Sequence, residues 1–222
     1  DRRSHGETNT LDVMAKYAQI LAICLAVVLV SGDAGGHTLP RERTMMVEVK
    51  EEALEALVVF QEPPGKRLDL LFAQHDLDGD GKLTGAEADN AAGTWVPYVL
   101  QGLEFDVTGE ELEREPPEIK FKEKHHGSLT TAIYLTWPLP ELDTGPRRVT
   151  VSRDDDAAPF ATILRFQTQP PLAFQEAPGP APGGDYGARV GPYNLAPGKT
   201  IGVTVERDPE VWTWDDLPTA NP

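Results

Sequence analysis

Four acidic side chains within one short stretch have the types and spacing of a site for a hard metal cation. Asp76, Asp78 and Asp80 stand at alternate positions, and Glu87 follows seven residues after the last of them. A hard cation takes about six to eight oxygen ligands, and alternate residues of a tight loop can point their carboxylates inward. Gly81 follows directly, where a sharp bend would leave no room for a Cβ atom. The chemistry indicated is the binding of a divalent cation.

The residues on both sides of this stretch predict two helices. Apolar residues recur at intervals of three and four before the loop and again after it. Pro97 predicts that the second helix is short or kinked, because the residue before a proline avoids helical dihedral angles. The periodic positions are Leu68, Leu71, Phe72 and His75 before the loop, and Ala88, Ala91, Ala92 and Trp95 after it.

The stretch from Asp76 to Glu87 resembles the twelve-residue calcium loop of the EF-hand family at each diagnostic position. The resemblance implies that the aspartates bind Ca²⁺ through their carboxylates. It also implies that Lys82 offers its backbone carbonyl, that Thr84 acts through a water and that Glu87 binds through both oxygens. Residues 64–100 would then form one helix–loop–helix hand. The predicted metal ligands are Asp76, Asp78, Asp80, Lys82, Thr84 and Glu87.

The sequence contains one such loop, although EF-hands usually occur in pairs. Asp154–Asp156 lacks the glycine and the final glutamate of the pattern, and the acids between Asp106 and Glu115 stand in a different order. Both stretches predict solvated loops. Leu83 occupies the eighth loop position, which normally contacts a partner hand. A lone extracellular hand is expected to bind Ca²⁺ at about 10⁻⁴–10⁻³ M and to act as a structural clip.

Composition and motifs exclude several function classes. With 20 Lys and Arg against 36 Asp and Glu, the formal net charge of −16 argues against binding to nucleic acid or anionic lipid. The sequence after residue 34 has two serines, Ser128 and Ser152, and neither lies in a nucleophile motif. It has no cysteine and no zinc-protease or phosphate-loop motif. We therefore expect a protein that is not an enzyme.

The N-terminal part predicts secretion. The eleven apolar residues Ile20–Val30 follow Lys16 and precede small residues that include Ala34, a pattern typical of a signal peptide at residues 14–34. The run is shorter than the roughly 20 residues that span a bilayer, and a buried core helix is the alternative. Residues 1–13 are interpreted as an upstream extension or as the result of a wrongly chosen start. The mature chain, after cleavage near Ala34, is expected to be secreted or periplasmic and without a membrane span.

Alternating apolar residues predict β-strands on both sides of the hand. Leu57–Phe60 is a further strand candidate, although the residues just before it have a helical composition. The predicted fold is α+β, with the hand inserted in or packed on an antiparallel sheet or small β-sandwich. The alternating stretches are 45–49, 103–107, 119–122, 129–137, 149–151, 164–166 and 201–205.

The C-terminal part divides into a linker and a tail in this prediction. The mature domain covers residues 35–169. Residues 170–198 contain seven Pro and six Gly in twenty-nine positions, which predicts a linker or long irregular loop. Residues 199–222 are predicted to form a terminal strand and a tail with Trp212 and Trp214. These tryptophans either contact a partner or carbohydrate, or cover a sheet edge.

Two functional hypotheses follow. The first is a secreted, calcium-stabilised binding or scaffolding domain with an unidentified protein partner. The second is an accessory protein that handles Ni²⁺, Co²⁺ or Zn²⁺ through His37, His125 and His126. It rests on a resemblance of His37, two strands, one hand and a β region to the extracytoplasmic part of some bacterial nickel/cobalt or HupE/UreJ-type permeases. No membrane span follows in this sequence, so transport itself is not implied.

Overall fold

The computed structural model describes residues 41–108, 112–123, 127–140, 145–154, 160–179 and 189–207. The predicted signal peptide, the three histidines of the second hypothesis and the two tail tryptophans lie outside the described residues. Neither of the two described helices is long and apolar enough to span a membrane.

The described residues form ten strands and two helices. The strands are β1 (Glu42–Val49), β2 (Ala53–Glu62), β3 (Leu103–Val107), β4 (Glu118–Glu123), β5 (Leu129–Pro138), β6 (Arg147–Arg153), β7 (Ala161–Thr168), β8 (Leu172–Glu176), β9 (Arg189–Asn194) and β10 (Lys199–Arg207). The helices are α1 (Lys66–His75) and α2 (Ala86–Leu100), which follow β2 and precede β3. The described part of the chain is therefore mostly β-sheet with one helix–loop–helix segment.

The strands form two sheets. The larger sheet has the order β4-β5-β2-β1-β7-β9, and the smaller has the order β3-β6-β10-β8. Every pair is antiparallel except β1 with β7, which are parallel. The prediction of a purely antiparallel sheet is wrong for this pair. A long connection separates β1 from β7, so no hairpin turn forces the two strands to run in opposite directions.

Hydrophobic alternation accounts for the central strands of the larger sheet. Every second side chain of β1, β2, β5 and β7 is buried, so one face of this sheet supplies much of the core. Phe105 of β3 contacts Trp137 of β5 with ring centroids 4.6 Å apart, and this contact joins the two sheets. The strands predicted from alternation are confirmed as β1, β3, β4, β5, β6, β7 and β10.

Two segments differ from the sequence prediction. β2 begins at Ala53, because Leu54 and Ala56 point into the core between β1 and β5 and this burial overrides the helical composition. Residues 170–198, predicted to be a linker, contain β8 and β9. Leu172 and Leu195 are fully buried there, so the segment contributes side chains to the core despite its proline and glycine content.

Helix α2 continues through Pro97 to Leu100, so it is not shortened, and the alternative of a kink at Pro97 stays a prediction. A proline in a helix removes one backbone hydrogen bond. The buried side chains of Val96 and Val99 flank Pro97 and hold the last turn against the core. The exposed ring of Pro97 faces solvent, where it does not disturb this packing.

Three neighbouring strands hold α2 through polar side chains. The indole N–H of Trp95 donates to the Thr131 hydroxyl of β5 at 2.8 Å. The Tyr98 hydroxyl donates to the Glu62 carboxylate of β2 at 3.0 Å. Arg43 of β1 donates to the backbone carbonyl of Val99 at 2.7 Å. These directional bonds fix both the position and the rotation of α2, which hydrophobic packing alone would specify less sharply.

Thr131→Val should destabilise the protein by about 1–3 kcal/mol, because it leaves the buried indole N–H of Trp95 without an acceptor. Urea unfolding measures the change in the free energy of unfolding. Thr136→Val on the same strand is the matched control, since Thr136 lies on the half-buried face, and it should stay within about 0.5 kcal/mol of wild type. Equal effects of the two substitutions would contradict the role given to the Trp95–Thr131 bond.

Candidate metal site between the two helices

The segment between α1 and α2 is a tight loop. The Asp76 N–H donates to the Phe72 carbonyl at 2.9 Å and closes α1. Gly81 then adopts a φ of 77°, a conformation that glycine reaches without steric cost. The Glu87 N–H donates to the Thr84 carbonyl at 3.1 Å as α2 begins. The loop predicted from sequence therefore has the predicted bend and a helix on each side.

The loop brings the three aspartates together. Carboxylate oxygens of Asp76, Asp78 and Asp80 all lie within 4.8 Å of one another. Backbone amides orient them: Gly81 N–H donates to Asp76 Oδ2 at 3.0 Å, Asp80 N–H to Asp78 Oδ1 at 3.1 Å, and Lys82 N–H to Asp80 Oδ1 at 2.8 Å. These donors hold three negative charges at a separation at which they repel one another.

Asp76 has an oxygen without a hydrogen-bond donor. Its Oδ2 accepts from Gly81, whereas its Oδ1 is buried and has no partner among the described residues. A buried carboxylate oxygen without a donor is costly, because it has lost its water without replacement. A cation beside Oδ1 would supply the missing interaction.

Glu87 binds the start of the loop rather than the aspartate cluster. Its Oε1 accepts from the amides of Leu77 at 2.7 Å and Asp78 at 3.3 Å. The cluster of converging acidic oxygens comprises the three aspartates, and Glu87 is not part of it. The structure thus places the predicted twelfth-position ligand on the same loop but does not bring its carboxylate into the cluster.

Lys82 and Thr84 are both exposed. The ammonium of Lys82 lies 3.8 Å from Asp80 Oδ2, and such an exposed ion pair contributes only about 0–1 kcal/mol. Lys82 therefore offsets little of the charge of the loop. No contact of the Thr84 hydroxyl is described, so its predicted role through a water stays a prediction.

Leu83 is buried within this chain, with 4% of its surface exposed. Together with Phe72, Phe121 and Leu129 it lines a cavity of about 350 Å³ beside the loop. Phe121 and Leu129 belong to β4 and β5. Side chains at the edge of the larger sheet thus lie on the same cavity as Leu83.

Motif analysis of the sequence does not identify the polar residues that fix α2. Arg43, Glu62 and Tyr98 are not singled out by the loop pattern or by hydrophobic alternation. A signal was nevertheless available, because Arg43 falls in phase with the buried Met45 and Glu62 falls in phase with the buried Phe60. A charged residue at an inward position of a strand predicts a buried polar network.

The described residues hold no arrangement typical of nucleophilic catalysis. Ser128 is buried, and the Ser152 hydroxyl donates to Glu104 Oε2 at 3.4 Å. His75, at the end of α1, is the one histidine in the described part of the chain. The chain matches no protein-family model and no curated protein sequence. The geometry of the loop between α1 and α2 is therefore the basis for proposing a function.

Tyr98 gives the attachment of α2 a measurable pH dependence. Burial, followed by the charge of Glu62 and its hydrogen bond, raises the pKa of the Tyr98 phenol to about 12. A group whose pKa is higher in the folded state stabilises that state below its unfolded pKa. For Tyr98 this contribution is complete below about pH 10 and is lost as the pH rises towards 12.

Urea unfolding of wild type and Tyr98→Phe at pH 9 and pH 11 tests this contribution. The wild type should lose more stability between the two pH values than the variant, since the other tyrosines are common to both proteins. The same loss in both would show that the folded state does not raise the pKa of Tyr98.

Proposed function

We propose that residues 76–87 form an EF-hand calcium site, and that bound Ca²⁺ acts as a structural clip between α1 and α2. The observation that carries this proposal is the convergence of the Asp76, Asp78 and Asp80 carboxylates within 4.8 Å. The loop bend at Gly81 and the two flanking helices support it. The binding site is proposed to belong to a non-enzymatic binding or scaffolding domain.

The chemistry of the loop favours a hard cation. All acidic ligand atoms are carboxylate oxygens, and no histidine or cysteine joins the cluster in the described part of the chain. Oxygen-only sites suit Ca²⁺ and Mg²⁺, whereas Zn²⁺ and Ni²⁺ favour nitrogen or sulfur ligands. Ca²⁺ tolerates the irregular geometry of a flexible loop better than Mg²⁺, which requires a near-ideal octahedron.

The residues proposed to hold Ca²⁺ differ in the number and kind of oxygen ligands that each would offer. Asp76, Asp78 and Asp80 would offer one carboxylate each, and Glu87 would offer two oxygens after releasing the amides of Leu77 and Asp78. A bidentate glutamate would link the first residue of the loop to the first turn of α2. The remaining proposed contacts are the Lys82 carbonyl and the Thr84 hydroxyl through a water.

A structural role fits better than a sensor role. Both helices already bury apolar residues, among them Leu68 and Leu71 of α1 and Val99 of α2, and α2 is held by three strands. A sensor hand opens a hydrophobic groove on binding Ca²⁺, and this attachment opposes such opening. The predicted signal peptide favours an extracytoplasmic compartment, where millimolar Ca²⁺ would fill a weak site most of the time.

Glu87→Gln should abolish most of the calcium affinity, because it removes the proposed bidentate ligand. Isothermal titration calorimetry of the chain from residue 35 onward should give one Ca²⁺ per chain for wild type, bound at about 10⁻⁴–10⁻³ M. Asp89→Asn is the matched control, since it removes an exposed charge from the same helix turn without touching the cluster. Its dissociation constant should stay within about threefold of wild type, given the screening of exposed charges. Undiminished binding by Glu87→Gln would refute the ligand assignment.

Chelation of calcium should lower the melting temperature without removing the β signal in circular dichroism. Ligand at about 100 times its dissociation constant stabilises the folded state by about 2.7 kcal/mol. For a domain of this size that corresponds to a shift of roughly 5–10 °C. Glu87→Gln should show no shift between calcium and chelator. A shift of equal size in that variant would place the stabilising calcium elsewhere.

A further inference from the structure

We infer that Arg43 is a positioning residue for the proposed calcium site: by fixing the C-terminal end of α2, it sets where the other end of that helix holds Glu87. The inference rests on the proposed function, because it concerns the affinity of the same loop. It assigns a role to a residue thirty-three positions before the first aspartate.

Arg43 is fully buried, with no exposed surface. No carboxylate pairs with it among the described residues; its guanidinium bonds only neutral acceptors and lies 5.7 Å from the centre of the Phe160 ring. Burying a charge without a counter-charge is costly, so the fold keeps it only where the surrounding dipoles offset that cost. The identity of those acceptors therefore indicates what the residue does.

Two of the three acceptors of Arg43 lie at the C-terminal end of α2. One terminal nitrogen, Nη1, donates to the Val99 carbonyl at 2.7 Å and to the Gln101 carbonyl at 3.2 Å. Carbonyls at this end of a helix lack partners within the helix and carry the negative pole of its dipole. A cation placed there offsets that pole, and two bonds to carbonyls two residues apart fix the rotation of the helix end.

The other side of the guanidinium is fixed to the sheet. Nε and Nη2 donate to the Thr162 hydroxyl at 3.2 Å and 3.0 Å. Thr162 of β7 is the register partner of Arg43 in the parallel β1–β7 pair, and it is also fully buried. Arg43 therefore connects the one parallel strand pair of the described sheets to the end of α2.

The rigidity of a helix carries this constraint to the metal loop. α2 has 15 residues, so its ends lie about 22 Å apart at 1.5 Å per residue. Trp95 and Tyr98 hold its middle and later turns against β5 and β2. With Arg43 removed, the helix can rotate about these two attachments, and Glu87 in its first turn moves relative to the aspartates.

Arg43 keeps its charge under ordinary conditions. Burial, and secondarily the charge of Arg153, lowers the pKa of Arg43 to about 10. The guanidinium therefore remains protonated at neutral pH and can donate all of the bonds described. Lysine at this position would keep the charge, but it lacks the planar fork that reaches the helix carbonyls and Thr162 together.

Titration calorimetry tests the inference by comparing the calcium affinity of wild type, Arg43→Met and Arg43→Lys, each as the mature full chain. Urea unfolding measures the stability of the same three proteins in parallel. Arg43→Met should weaken calcium binding by on the order of fivefold or more, a usual size for coupling between sites. Arg43→Lys should give an intermediate dissociation constant. Wild-type affinity in both variants overturns the inference and leaves the calcium site itself standing.

Arg147→Met is the matched control. Arg147 is also buried and donates to two backbone carbonyls, those of Glu51 and Pro140, but neither belongs to α2. The control should lose stability and keep the wild-type calcium affinity; an equal loss of affinity would mean that Arg43 acts only through general stability.

If Arg43→Met does not fold, Thr162→Val tests the same link with the guanidinium retained, and wild-type affinity there overturns the inference. Absence of calcium binding by the wild type would instead refute the proposed function and the inference with it.

Discussion

The repulsion among the three aspartate carboxylates that the loop between α1 and α2 brings together is the constraint on which this helix–loop–helix segment depends. Backbone amides hold Asp76, Asp78 and Asp80 close together instead of letting them separate, and they leave one Asp76 oxygen without a donor. The loop cannot relieve the repulsion by opening widely, because Leu68 and Leu71 of α1 are buried in the core and hydrogen bonds hold α2 on the larger sheet. A divalent cation is the simplest source of the missing interaction, and the oxygen-only cluster favours calcium.

In the proposed calcium site, the larger β-sheet would take the place of the second hand of paired EF-hands. Phe121 of β4 and Leu129 of β5 line the cavity beside Leu83, and hydrogen bonds to three neighbouring strands hold α2. The buried polar groups Arg43, Glu62 and Thr131 are thus specific attachments, since each bonds a group on α2. If the loop binds Ca²⁺ as proposed, this attachment of α2 is the reason to expect a structural clip instead of a switch.

Local features of this protein were predictable from sequence, and features that depend on distant partners were not. The loop and its helices follow from short-range spacing, and most strands follow from alternation. The parallel pairing of β1 with β7 is a choice between distant segments, which periodicity does not encode. The strand β8 is hidden by neighbouring prolines, although its first residue, Leu172, is fully buried. The positioning role proposed for Arg43 could not be predicted, because the sequence does not show that α2 ends beside β1.

Crystals grown with millimolar calcium would give anomalous scattering data that test whether residues 76–87 bind calcium. The account predicts one anomalous peak per chain, surrounded by carboxylate oxygens of Asp76, Asp78, Asp80 and Glu87, with the Glu87 side chain released from the Leu77 amide. The bond from Arg43 to the Val99 carbonyl should persist in that structure. An empty loop at this calcium concentration, or a peak held by other residues, would contradict the account.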